Sequence, residues 1–213
     1  MSDTFLSNAT FASRAHPLWK RPLDVTLVLL GLLLIWPLLL AVALAVRLSS
    51  PGPVFFIQTR VGLNGQRFGM IKFRSMYRDA EARRAALLAQ SDRAGLCFKS
   101  RHDPRITPVG RVLRRFSLDE LPQIFNVLRG DMSLVGPRPA LPEEVSAYPP
   151  RAHGRLRVLP GITGLWQVSG RADIGFDDMI TLDLAYVSDD RLGTYLQILL
   201  RTFTAVLSGK GAY

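Results

Sequence analysis

The chain has 213 residues, enough to bury a core of its own as one domain or one domain plus an appendage. Lys and Arg number 27 against 17 Asp and Glu, and the net charge of +10 points to anionic partners such as lipid headgroups, nucleotides or nucleic acid. The single Cys97 excludes an internal disulfide, and three scattered histidines (His16, His102, His153) exclude a zinc-type cluster, so reducing surroundings are the simpler expectation.

Residues 1 to 17 are polar and aperiodic, and are expected to form a flexible tail. From Val25 to Val46 no residue is charged, and Leu, Val and Ala dominate. As a helix this run is about 33 Å long, enough to cross a hydrocarbon core of about 30 Å. It is too long for the apolar region of a cleavable signal, although Ala41-Val42-Ala43 resembles a cleavage site. Pro37 lies near its middle, cannot donate to the Leu33 carbonyl and crowds that turn, so a kink or break is expected there. Lys20 and Arg21 flank one end and Arg47 the other, the charge typical of cytoplasmic flanks at both. A broken helix that leaves by the face it entered and a kinked spanning helix both fit.

After the breaker-rich joint Ser49-Ser50-Pro51-Gly52-Pro53, the runs Val54 to Val61 and Arg67 to Phe73 flank Leu63-Asn64-Gly65-Gln66, a hairpin signal. Tyr77 to Gln90, rich in Ala, Arg and Glu, reads as an exposed helix with a solvated charged face. Val109, Val112, Leu113 and Phe116 follow helical spacing with Arg111, Arg114 and Arg115 on another face, a basic amphipathic helix suited to an anionic membrane surface. Leu121, Ile124, Phe125 and Leu128 repeat the spacing and Gly130 can end that helix. Leu192 to Leu207 is a further apolar helix, for the core or the interface. The fold class expected is α+β, mainly helical, with one small hairpin and several helices lying in the interface plane.

Three stretches could carry chemistry. In Ser117-Leu118-Asp119-Glu120-Leu121-Pro122-Gln123 the spacing Ser117-x-x-Glu120 is that of a capping box, and Pro122 and acidic residues suit a helix start. From the pattern alone the capping reading leads, but a functional reading uses the same geometry, since a helix start near arginines attracts phosphate and a carboxylate there can attack phosphorus or hold a metal ion. Arg138, between Pro137 and Pro139, should be presented from a stiff extended loop, able to grip phosphate bidentately or simply to face solvent. Pro160 to Arg171 holds three glycines, Gly161, Gly164 and Gly170, which permit close backbone approach to a ligand, and Arg171 offers another phosphate contact. Trp166 reads as core or interface, and no Walker loop or dinucleotide fingerprint is present.

Together, Lys72-Phe73-Arg74-Ser75-Met76, Ser117 through Gln123, Gly130-Asp131-Met132-Ser133, Gly136 through Pro139 and Pro160 through Arg171 resemble, in order and over about residues 18 to 208, the bacterial sugar transferases known as monotopic phosphoglycosyl transferases. The resemblance implies magnesium-dependent transfer of a sugar phosphate from a UDP-sugar to undecaprenyl phosphate, opening polysaccharide or glycoconjugate assembly. It implies Asp119 as nucleophile, close to Mg2+, and Glu120 as its assistant, activating the acceptor or supporting the metal. Arg138 would hold phosphate, and Arg114, Arg171 and Gln167 would lie near the nucleotide. It further implies a re-entrant membrane helix over 18–47 broken at Pro37, then a membrane-surface catalytic domain over 48–213 on the cytoplasmic face of the bacterial inner membrane, the minimal form of the family. Trp36 departs from the pattern, because similar short proteins often place serine before this proline. Partners would be membrane lipids and the two substrates. A homodimer would be unsurprising, and a nucleic-acid binder is disfavoured because aromatics do not interleave with the basic runs. A scaffold that has lost activity is disfavoured by the intact Asp119-Glu120 pair.

Overall fold

The structure is a computed structural model, described over residues 17–80, 82, 103–170, 174–189 and 191–208. Helix α1 (Lys20–Ser49) is a single run of 30 residues with Pro37 inside it. The helix meets the rest of the protein along one stripe. Buried Lys20, Asp24, Val28, Val42 and Val46, with partly buried Leu32, Ile35 and Leu39 between them, recur at steps of three or four. The other face, including Leu33, Leu34, Leu40, Leu44 and Leu48, is exposed. Both ends therefore pack on the same domain. Near the start, Lys20 Nζ donates to Ser133 Oγ (2.6 Å) and the Val135 carbonyl (2.7 Å), and Asp24 Oδ1 accepts from the Leu134 amide (2.9 Å) and Tyr195 hydroxyl (2.6 Å). Near the end, Val46 packs with Phe73 and Leu113.

Strands β1 (Phe55–Val61) and β2 (Arg67–Phe73) form the expected antiparallel hairpin, Phe55 opposite Phe73 and Val61 opposite Arg67. Asn64 and Gly65 both hold positive φ, 54° and 79°, which is why the turn needs this pair. Arg74 then ties the breaker-rich joint back to the hairpin: its guanidinium donates to the carbonyls of Ser50 (2.6 Å) and Pro51 (3.1 Å).

Helix α2 (Pro108–Arg115) starts on a Thr107 cap, whose hydroxyl accepts from the Gly110 amide at 2.9 Å. Its apolar residues divide: Leu113 is buried, while Val112 and Phe116 are exposed at 55% and 38%, so the expected lipid-facing surface is narrower than the spacing suggested. A 3₁₀ stretch (Leu118–Gln123) follows, then helix α3 (Ile124–Arg129), ended by Gly130 at φ 96°. Next come β3 (Ser133–Val135), α4 (Pro142–Ser146), a 3₁₀ stretch over Pro150–Arg157, and β4 (Gly161–Thr163), which pairs parallel with β3. Helices α5 (Leu165–Ser169), α6 (Phe176–Ser188) and α7 (Leu192–Ser208) complete the described chain. The mainly helical α+β class is as expected, whereas β3–β4 and α6 were not foreseen. Most of the helix expected over Tyr77 to Gln90 lies outside the described residues; residues 78–80 are a turn.

Helix α7 is two-faced. Tyr195 and Ile198 are fully buried against Val135 and Tyr186, while Leu192, Leu196, Leu200, Phe203 and Leu207 form an exposed stripe at helical spacing.

Candidate active site

The site is assembled on the hairpin. Among the described residues no strand lies along the far edge of β2, and the fully buried Asn126 of α3 takes that place. Its Oδ1 accepts from the Ile71 amide (3.0 Å) and its Nδ2 donates to the Gly69 carbonyl (2.8 Å). This clamps α3, and the 3₁₀ stretch before it, beside Lys72.

The expected capping box does not form. Ser117 sits in the left-handed region at φ 54°, its hydroxyl caps nothing, and the chain enters a 3₁₀ turn rather than an α-helix. A non-glycine residue held there costs on the order of 1–3 kcal/mol, a strain the surrounding packing must impose. The Glu120 carboxylate is thereby released from the backbone. It pairs with Lys72 Nζ at 2.7 Å and faces Arg138 Nη1 at 3.6 Å. Burial acts to raise the Glu120 pKa, but Lys72 and Arg138 outweigh it and hold the group at about 2. The same burial pulls the Lys72 ammonium below the usual lysine range, with Glu120 opposing.

Asp119 is different. It is buried, and among the described residues no cation forms an ion pair with it. Burial pushes its carboxyl above the ordinary carboxylate range against the Lys72 and Arg114 charges, and the neighbouring Glu120 anion adds to the rise. The pair thus comprises one carboxylate neutralised by cations and one uncommitted, more basic carboxylate.

Asp119, Glu120, Lys72, Arg114, Arg138 and Gln167 line one cavity of about 900 Å³, whose wall also includes Phe55, Phe56 and Phe203. Five of the six expected site residues are brought together there. The sixth, Arg171, lies outside the described residues. Gln167 is partly committed, since its Nε2 donates to the Ile162 carbonyl at 2.9 Å. Lys72 lies within one of the family-like motifs but has no expected role; its sequence signal is a lone lysine in the apolar run Met70-Ile71-Lys72-Phe73.

Two of the three glycines of the Pro160 stretch meet the backbone of the Gly136 loop. A Cβ on Gly161 would stand 2.0 Å from the Gly136 nitrogen, and one on Gly164 2.3 Å from the Gly136 oxygen. They let backbone approach backbone, seating the Gly136–Pro139 loop directly on β4. Trp166 is buried in the core, as expected.

Residues 15–209 match the family model described as Bacterial sugar transferase. The chain belongs to the bacterial sugar transferase family. This sugar transferase is 44% identical over 203 residues to the galactosyl transferase CpsE of Streptococcus agalactiae, covering 95% of its own length and 45% of that protein. It is 40% identical over 198 residues to the exopolysaccharide production protein ExoY of Sinorhizobium fredii, covering 91% of its own length and 88% of that protein. It is 43% identical over 207 residues to the UDP-glucose:undecaprenyl-phosphate glucose-1-phosphate transferase of Caulobacter vibrioides, covering 93% and 73%. The chain therefore spans less than half of some curated relatives and most of others. Helix α1, long and apolar enough to cross a membrane, together with family membership, places the sugar transferase at a membrane.

Proposed function

We propose that this protein transfers a sugar 1-phosphate from a UDP-sugar to undecaprenyl phosphate, through a covalent intermediate on Asp119. The observation that carries the reading is the buried Asp119 carboxylate, without an ion pair among the described residues, in a cavity lined by Lys72, Arg114 and Arg138. An Asp119 oxygen attacks the β-phosphorus of the donor. The bond from that phosphorus to the bridging oxygen breaks, UMP leaves, and an aspartyl-phosphosugar remains. A phosphate oxygen of undecaprenyl phosphate then attacks the same phosphorus, giving the lipid diphosphate sugar and returning the carboxylate. Arg138 and Arg114 face the donor's phosphates and offset the repulsion between nucleophile and diphosphate. Glu120, held near a pKa of 2, is a poor proton acceptor at neutral pH, so its part is to hold Lys72 and Arg138 in place. The acceptor needs no stronger base, being an anion already.

Magnesium is consistent with this donor set. Among the described residues no cluster of three or more His, Cys, Asp or Glu exists, but Mg2+ is commonly held by one or two carboxylates plus substrate phosphates and water. Asp119, with no ion pair among the described residues, is the residue that would hold it, and the ion would supply charge neutralisation at the diphosphate.

The test is UMP release by detergent-solubilised protein given Mg2+, polyprenyl phosphate and a panel of UDP-sugars. Asp119→Ala and Asp119→Asn are expected to remove release by at least about a thousandfold while the fold persists. Labelled sugar phosphate should be trapped on residue 119. Full turnover in either variant would refute the assignment.

A further inference from the structure

The loop that presents Arg138 cannot hold itself, because Pro137 and Pro139 lack amide hydrogens. Yet four consecutive carbonyls of this loop all have donors. Pro137 accepts from the Gly161 amide at 2.9 Å and Ala140 from the Val61 amide at 2.9 Å. Between them, the Arg138 carbonyl accepts from Arg155 Nη2 at 3.0 Å, and the Pro139 carbonyl from Arg60 Nη1 at 3.0 Å. Arg155 is 4% exposed and is itself fixed. Its Nη2 lies 2.5 Å from Asp183 Oδ2 on α6, and its Nη1 donates to the Tyr148 hydroxyl at 2.6 Å. The Arg138 side chain, by contrast, is 40% exposed and reaches Glu120 only at 3.6 Å.

We infer that Arg155 and Asp183 are positioning residues for the donor site: the buried pair fixes the Arg138 backbone so that the half-exposed Arg138 guanidinium meets the donor diphosphate already aimed. This rests on the reading of Arg138 as a phosphate clamp. Asp183 does not line the cavity; Arg155 borders it, but its guanidinium is committed to the Arg138 carbonyl, Asp183 and the Tyr148 hydroxyl, so both residues act through one carbonyl. A buried ion pair adds little net stability over a well-packed apolar replacement, so such a pair is better suited to fixing geometry than to supporting the fold.

That distinction gives the test. Arg155→Met combined with Asp183→Leu removes the pair without leaving an uncompensated buried charge, and Arg155→Lys retains a cation against Asp183 while losing the planar fork. Each is assayed as full chain in detergent with Mg2+, using whichever of UDP-galactose, UDP-glucose and UDP-N-acetylglucosamine releases UMP fastest. Binding of UDP is measured alongside by calorimetry. The expected result is a donor KM and a UDP Kd raised about tenfold, with kcat within about threefold and thermal midpoint little changed. In an Arg138→Ala background the same changes should add nothing, because the residue they position is gone. Unaltered KM and Kd in whichever of these variants folds would overturn the inference, as would effects that multiply with Arg138→Ala. Arg138→Ala that leaves KM and Kd unchanged would instead remove the clamp reading, and this inference with it.

Discussion

Asp119 and Glu120 are neighbours in sequence with opposite electrostatic fates, and the difference is one of partners. Glu120 turns toward Lys72 and Arg138, while Asp119 stays buried without an ion pair among the described residues. Ionised Asp119 is the attacking species in the proposed step, so donor kcat/KM should fall as pH drops through a pKa that burial has lifted above the ordinary aspartate value. The sign of two perturbations follows. Glu120→Gln removes an anion that raises the Asp119 pKa, and the acid limb should move to lower pH. Lys72→Met removes a cation that lowers it, and the limb should move to higher pH. Residual UMP release measured from pH 4.5 to 8 checks this, and shifts in the same direction would refute the arrangement. The sequence could show that two carboxylates stood together near arginines. It could not separate their roles, because that depends on a left-handed Ser117 and on a strand lysine 48 positions away.

At the scale of elements, what was legible had a local signature. Asn64-Gly65 announced the hairpin, and apolar spacing announced α7. The β3–β4 pair had none. Two three-residue strands whose partners lie 28 positions apart carry no detectable period, and their glycines read as ligand-facing rather than as backbone contacts. Those glycines carry a prediction. Gly161→Ala would set a Cβ 2.0 Å from the Gly136 nitrogen and 2.5 Å from the Thr163 oxygen. Neither is the end of a flexible side chain, so the strands must part. We expect a loss of more than ~2 kcal/mol in thermal unfolding together with lost UMP release, since the loop carrying Arg138 rests on that contact. Gly65, with open space around its Cβ, is held by its φ of 79° alone, and Gly65→Asn should be milder in the same measurement.

Across the whole molecule, exposed apolar residues gather on the outer face of α1, on Phe55, Phe56 and Ile57 of β1, and on the outer stripe of α7. Singly such residues are ordinary, but continuous stripes of this size mark a surface meant for something other than water. Because both ends of α1 pack on one domain, we expect them on the same side of the bilayer, and basic flanks at each end favour the cytoplasmic side. In a Cys97→Ser background, Leu18→Cys and Leu48→Cys, exposed at 95% and 76%, should both label from the cytoplasm and neither from the periplasm. Labelling from opposite sides would establish a spanning helix.

Asp24 finds its Tyr195 partner 171 positions along the chain, and Lys20 its Ser133 partner 113 along. Two ionisable groups therefore leave the ribosome at the edge of an apolar helix long before their counterparts exist. Contacts of such separation are slow to form. The polar start of α1 is thus synthesised well before the residues that lock it, and it can be fixed only once α7 has formed.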